Sequence, residues 1–128
     1  MSAVKTGDTF ELTVTPDRYL TVRYAGASGD FNPIHIDEEF AQQVGLPGRI
    51  LHGLWTMAQV ARAHSEALGG PDKLERLSVQ FRGMGVMEQE IVVSGTVREV
   101  DGDRAVVASE ATQNGKRIIR NGEAVVRL

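Results

Sequence analysis

No cysteine occurs among the 128 residues. That absence removes a disulfide framework, a thiolate nucleophile, an iron–sulfur cluster and a thiolate zinc site together. Long apolar runs are missing too. The longest unbroken one is Ala105–Ala108, far short of the roughly 20 residues that cross a bilayer as a helix. Met1–Asp8 carries Lys5 and Asp8 and has no apolar segment of a secretory signal, so no membrane partner and a cytoplasmic location are expected. Basic charge is not in excess either: 14 Lys and Arg stand against 17 Asp and Glu, a net charge of −3, which offers nucleic acid no footprint. One local bias runs the other way. Lys116, Arg117, Arg120 and Arg127 outweigh Glu123 near the C-terminal end, reading either as a solvated strand face or as a surface toward a phosphate-bearing carrier. Repeats, linkers and low-complexity stretches are also lacking, and residues 1–128 read as one domain.

What is present is ordinary soluble composition, 41% hydrophobic and 24% charged, divided in two by periodicity. Thr9–Val14 alternates apolar and polar residues as a half-buried strand does. Thr15-Pro16-Asp17 predicts a helix start, with Thr15 as N-cap, Pro16 at the first helical position, and Tyr19, Leu20, Val22, Tyr24 and Ala27 on one broad face. Ser28–Pro33 is a predicted loop. Asp37-Glu38-Glu39 opens a short helix with acids at its positive end. The longest helix is expected over Leu54–Leu68, with Leu54, Met57, Ala58, Ala61 and Leu68 at helical spacing and Gly69-Gly70-Pro71 as its stop. The pattern then turns to strand: Leu77–Arg82, Ile91–Val100, Arg104–Thr112 and Lys116–Leu128. Asp101-Gly102 and Asn114-Gly115 supply turns, and Asn121-Gly122 marks a bulge. A strand, helices and then an antiparallel meander predict an α+β fold with the long helix against the sheet's concave face.

The chemistry concentrates between Tyr24 and Gly53. Asp30 and His35 flank the stiff Asn32-Pro33 pair, and a carboxylate and an imidazole at this spacing can converge on one water for general acid–base work. The bland alternative is an Asx-turn at Asp30 and a packing role for His35. His52-Gly53 opens the long helix, where free backbone N–H groups carry partial positive charge and can hold an oxygen that becomes negative. Alternatively Gly53 only gives room for a turn, with His52 capping or packing nearby.

Taken together, Tyr24-Ala25-Gly26-Ala27-Ser28-Gly29-Asp30-Phe31-Asn32-Pro33-Ile34-His35-Ile36-Asp37, followed by Ile50-Leu51-His52-Gly53, resembles the (R)-specific enoyl-CoA hydratases and MaoC-like dehydratases. The resemblance implies a single hot-dog domain, a curved antiparallel sheet wrapped around a long central helix. It implies a hydro-lyase that interconverts trans-2-enoyl and (R)-3-hydroxyacyl thioesters, with Asp30 and His35 as the catalytic pair and the Gly53 N–H as oxyanion hole. Ser28 and Asn32 would fix the loop. Neither a metal nor another cofactor is implied, the substrate riding on coenzyme A or acyl-carrier protein. The expected assembly is a homodimer, or a heterodimer with a second hot-dog subunit. One departure is visible. Many relatives have a Val-x-Pro-Gly-Asp-like turn after the first meander strand, where this chain has Val86-Met87-Glu88-Gln89-Glu90.

Three rivals remain: a non-catalytic acyl-binding subunit, an acyl thioesterase, and a metal-dependent hydrolase built on Asp30, His35, Asp37 and His52. Asp37 and Glu39 suit a helix N-terminus. His64 is expected to be exposed or packed mid-helix, and Trp55, Met57 and Phe81 to line either the core or an acyl tunnel. Gly83-Met84-Gly85 lacks the third glycine and the strand-to-helix setting of a nucleotide loop.

Overall fold

The alternating segments pair into one antiparallel sheet in the computed structural model, which describes residues 3–128. Strand β1 is Thr9–Val14, β2 Leu74–Phe81, β3 Ile91–Asp101, β4 Arg104–Gln113 and β5 Lys116–Arg127, in the order β1-β3-β4-β5-β2. Between β1 and β2 lie α1 (Leu20–Ser28), the single turn α2 (Pro33–Ile36), α3 (Glu38–Gln43) and the long α4 (Gly53–Ala67). Helix α4 touches all five strands, so the sheet wraps around it, as in the hot-dog fold. Alternation decides the buried face: Ile91, Val93 and Val97 of β3 and Ala105, Val107 and Ala111 of β4 are sealed inward. The Asn121-Gly122 bulge is present, with Asn121 at φ 51° and the β4–β5 register shifting between Ser109 and Ala111.

The helices depart from the sequence reading in two respects. First, α1 starts at Leu20 rather than at Pro16. Tyr19 takes the N-cap position without a side-chain cap, and Asp17 makes a turn just ahead of it. The Asp17 carboxylate accepts the Tyr19 N–H at 2.8 Å and pairs with Arg23. Pro16 is drawn into the interior, where its carbonyl accepts the Glu88 N–H at 2.6 Å. The inner face of α1 is therefore Thr21 and Ala25, an i, i+4 pair, while Tyr19 and Val22 are exposed. Second, the face of α4 against the sheet is Thr56, Val60, Ala63 and His64, whereas Leu54 is 64% exposed and Ala58 is exposed as well. Strand β2 begins three residues earlier than expected, at Leu74.

The departure at Val86–Glu90 has its own solution. Gln113, buried at the end of β4, donates from Nε2 to the carbonyls of Val86 (2.8 Å) and Gln89 (3.0 Å) and accepts the Val86 N–H (2.8 Å). A side-chain amide thus replaces the local turn chemistry that Pro-Gly would supply. It holds Glu88 in left-handed conformation, φ 65°, where it binds Pro16.

Candidate active site

Three short devices bring Asp30 and His35 together. Ser28 ends α1 with its hydroxyl donating to the Tyr24 carbonyl (2.7 Å) and accepting the Asp30 N–H (3.1 Å). Asp30 Oδ1 accepts the Asn32 N–H at 3.2 Å. Asn32 then caps α2, its side chain accepting the Ile34 N–H at 3.3 Å, with Pro33 at the first helical position. His35 consequently sits on a helical turn rather than in the loop itself, and that turn points its imidazole back toward Asp30. Its Nε2 lies 3.9 Å from Asp30 Oδ2. This is too far for a direct hydrogen bond, yet one water at about 2.8 Å from each atom fits between them.

Backbone carbonyls fix the tautomers. His35 Nδ1 is 2.8 Å from the Ile50 carbonyl, which can only accept, so Nδ1 carries a proton and Nε2 faces Asp30. His52 Nε2 is 3.0 Å from the Asp30 carbonyl and donates to it. The two imidazoles stack, centroids 3.9 Å apart and 22° from parallel, and the Tyr24 ring lies against His52 at 4.7 Å. His35 and His52 are buried, while the Asp30 side chain is 53% exposed. The pair therefore has one member in the protein and one at an open mouth.

The segment before α4 acts as a strap. Ile50 N–H bonds to Ile34 O (3.1 Å) and Leu51 N–H to Gly85 O (2.8 Å), tying α2 to the end of the sheet. Arg49 secures its start, donating to Thr21 Oγ1 (3.2 Å) and to the Arg18 carbonyl (2.9 Å) and pairing with Glu38 at 3.4 Å. Gly53 is the first residue of α4, with His52 at the N-cap position but making no side-chain cap. The Gly53 N–H is thus one of the donors a helix leaves free. A Cβ at Gly53 would stand 3.0 Å from Phe81 Cδ1, a contact the half-exposed ring relieves by a small shift.

The candidate site has this form: an acid and an imidazole able to share a water, beside the positive end of a 15-residue helix. A family model described as MaoC like domain matches residues 2–118. The chain belongs to the MaoC like domain family. Among curated relatives, it is 34% identical over 107 residues to the fatty acid synthase beta subunit TOXC of Cochliobolus carbonum, covering 80% of this chain but 5% of that protein. It is 29% identical over 109 residues to a 3-hydroxybutyryl-CoA dehydratase of Methylorubrum extorquens, covering 84% of this chain and 69% of that one. The R-hydratase PhaJ1 from Pseudomonas aeruginosa superposes with a TM-score of 0.87 at 25% identity, over 97% of this chain and 81% of that one. The chain therefore spans only a small fraction of the synthase subunits it matches.

The remaining sequence candidates of this MaoC-like chain have other surroundings. Asp37 caps α3, accepting the Phe40 N–H at 3.1 Å, and is not turned to the dyad. Asp30, His35 and His52 do each offer a ligand atom within 4.8 Å of the others. The other ring nitrogen of each histidine is hydrogen-bonded to a backbone carbonyl, as it also is in metal-bound imidazoles. Trp55 and Met57 pack on the core cluster, whereas Phe81 is 50% exposed over Gly53. His64 is buried against Val60 and Phe10. Arg117 pairs with Glu110 and Arg127 with Asp72, so half of the basic bias at the C-terminal end is internally compensated.

Proposed function

We propose that this chain is a hydro-lyase for acyl thioesters, adding water to trans-2-enoyl groups to give (R)-3-hydroxyacyl thioesters and running the reverse elimination. The observation that carries the reading is the 3.9 Å gap between His35 Nε2 and Asp30 Oδ2 beside the start of α4. A water bridging that gap is held for attack on C3 of the enoyl thioester. As its oxygen bonds to C3, the C2–C3 π electrons shift toward the thioester carbonyl, and the Gly53 N–H with the helix dipole stabilises the developing enolate oxygen. One proton leaves the water to the dyad and the dyad delivers a proton to C2. Both groups face the same water, so the role belongs to the dyad rather than to either member alone. No metal or redox cofactor enters the scheme, because addition of water to an enoyl thioester needs only proton transfer and charge stabilisation.

The single subunit leaves an open edge. Strand β2 is bonded to β5 on one side only, so its other side presents unpaired backbone groups. At its end the half-exposed Phe81 lies against Gly53, next to which Leu54 is 64% exposed. A second hot-dog subunit, identical or paralogous, pairs along this edge and completes the acyl channel. Among the described residues no helix is long and apolar enough to cross a membrane.

Enoyl thioester consumption on a panel of short and long chains, carried on coenzyme A and on acyl-carrier protein, tests the proposal. Hydration unaffected by EDTA is expected. Release of free thiol without hydration would support a thioesterase instead, and activity only on addition of a second hot-dog protein would identify a heterodimer.

A further inference from the structure

His52, like His64, has one ring nitrogen on a carbonyl and the other buried without a partner among the described residues, but only His52 adjoins Asp30 and His35. It is only 2% exposed. Its Nε2–H serves the Asp30 carbonyl, and its Nδ1 is buried with no hydrogen-bond partner among the described residues. An orphaned buried nitrogen costs stability, and a phenyl ring of the same outline would avoid it while keeping the contacts with Tyr24 and His35. The one thing an imidazole supplies here that an apolar ring does not is the donor to Asp30. The same ring covers the face of His35. His52 therefore touches the backbone of one member of the dyad and the side chain of the other, and these are the two groups whose separation sets the water site.

We propose that His52 is a positioning residue, whose Nε2–H and ring face together register Asp30 against His35. This inference rests on the hydro-lyase reading for its catalytic consequence, but not for its structural one. Among the described residues, Asp30 is hydrogen-bonded only within Ser28–Asn32 and by this one long-range bond, 22 residues away in sequence. Loss of the donor frees the carbonyl, and the carboxylate then samples positions from which one water cannot reach both groups. Misplacement of a reacting group by even about an ångström lowers rate far more than it lowers substrate binding.

Two variants and one spectroscopic measurement decide the matter. His52→Phe keeps a ring against His35 and removes the orphan nitrogen. It is expected to fold, with an unfolding midpoint near that of the parent because the lost bond to the Asp30 carbonyl offsets the removed orphan nitrogen, while kcat falls about 10- to 100-fold with little change in KM. His52→Gln, whose amide nitrogen can reach the Nε2 position, is expected to recover part of that loss. Independently of any substrate, long-range ¹H–¹⁵N spectra of the labelled parent should show His52 as the Nε2–H tautomer and His35 as the Nδ1–H tautomer. Parental kcat in a folded His52→Phe protein overturns the proposal. So does a His52 that carries its proton on Nδ1, or a folded His52→Gln protein no better than His52→Phe. Should His52→Phe not fold, His52→Gln decides alone: folded with kcat within about tenfold of the parent supports the donor role, and folded but 100-fold slower contradicts it. A parent without hydratase activity removes the proposed function, and the tautomers together with faster amide exchange at Asp30–Asn32 in His52→Phe then test the positioning claim by itself.

Discussion

Asparagine at position 35 separates the chemistry of His35 from its structural duties. Asn Nδ2 occupies nearly the place of imidazole Nδ1, so His35→Asn retains a donor to the Ile50 carbonyl, which the imidazole reaches at 2.8 Å, while the nitrogen facing Asp30 is gone. Loss of a positioned acid or base typically costs 10²–10⁴ in rate, or about 2.7–5.4 kcal/mol of barrier. The asparagine variant should lose at least about 10²-fold in kcat and remain folded, giving up some stacking on His52. His35→Ala should lose as much activity and, in addition, about 1–3 kcal/mol of stability, because the Ile50 carbonyl is left without its partner. Asp30→Asn keeps an oxygen for the Asn32 N–H, so its fold should persist while its rate falls comparably. The Asp30→Asn, His35→Asn double variant should be little slower than either single one, since both groups serve one water. Initial rates of enoyl thioester hydration and urea unfolding curves on the same preparations supply both quantities. A folded His35→Asn protein with near-parental kcat would refute the assignment of the dyad.

Gly53→Ala places a methyl 3.0 Å from Phe81 Cδ1 beside the proposed oxyanion donor. Phe81 is half-exposed and can yield, so melting should change little; alanine keeps the N–H but its methyl crowds an approaching oxygen, so kcat should drop about tenfold or more, ~1.4 kcal/mol of barrier, and an unchanged rate speaks against close approach of the substrate to Gly53. Gln113→Ala removes all three bonds of the clasp at Val86–Gln89, at about 0.5–1.5 kcal/mol each, so urea unfolding should show a loss of roughly 2–4 kcal/mol; a loss below about 0.5 kcal/mol would mean the turn holds itself. Burial lowers the proton affinity of His64 in the folded chain. The unfolded chain therefore binds the proton first, and stability is full above about pH 6.5 and declines as pH falls below it, by at most about 1.4 kcal/mol per pH unit for one proton. Unfolding midpoints across that range check this, and His64→Leu should flatten the acid side; an identical slope in both proteins contradicts it.

The sheet was legible because its rules are local. Period-2 alternation in Ile91–Asp101 and Arg104–Gln113 needs no knowledge of distant partners; the Asn114-Gly115 turn falls where expected, and the other loop is Gly102-Asp103, one residue later than Asp101-Gly102. Helix faces obey a different logic. Helix α4 carries two apolar stripes, one through Leu54 and Ala58 and one through Val60 and Ala63, and the second is buried because the sheet lies there; spacing alone does not say where the sheet lies. The start of α1 misled for the same reason: Thr15-Pro16 has good local capping chemistry, but Pro16 is claimed by Glu88 from across the molecule. At the site, spacing left an Asx-turn at Asp30 and a packing role for His35 open, and only the resemblance named the two as a pair, which the fold sets 3.9 Å apart. The Ile50 and Asp30 carbonyls that fix both histidine tautomers were not readable, since a backbone carbonyl has no signature in sequence. Nor was Gln113, which stands in for a Pro-Gly turn from a strand end 24 residues or more away.

The proposed mechanism turns on one water, shared by Asp30 and His35, being added to an enoyl thioester with defined facial selectivity. Incubation of the purified chain with a short trans-2-enoyl-CoA, followed by chiral analysis of the 3-hydroxyacyl product, is the decisive experiment. The expected product is the (R) enantiomer, with the activity abolished in Asp30→Asn and His35→Asn. A predominantly (S) product, or hydration that survives both substitutions, would contradict the shared-water mechanism.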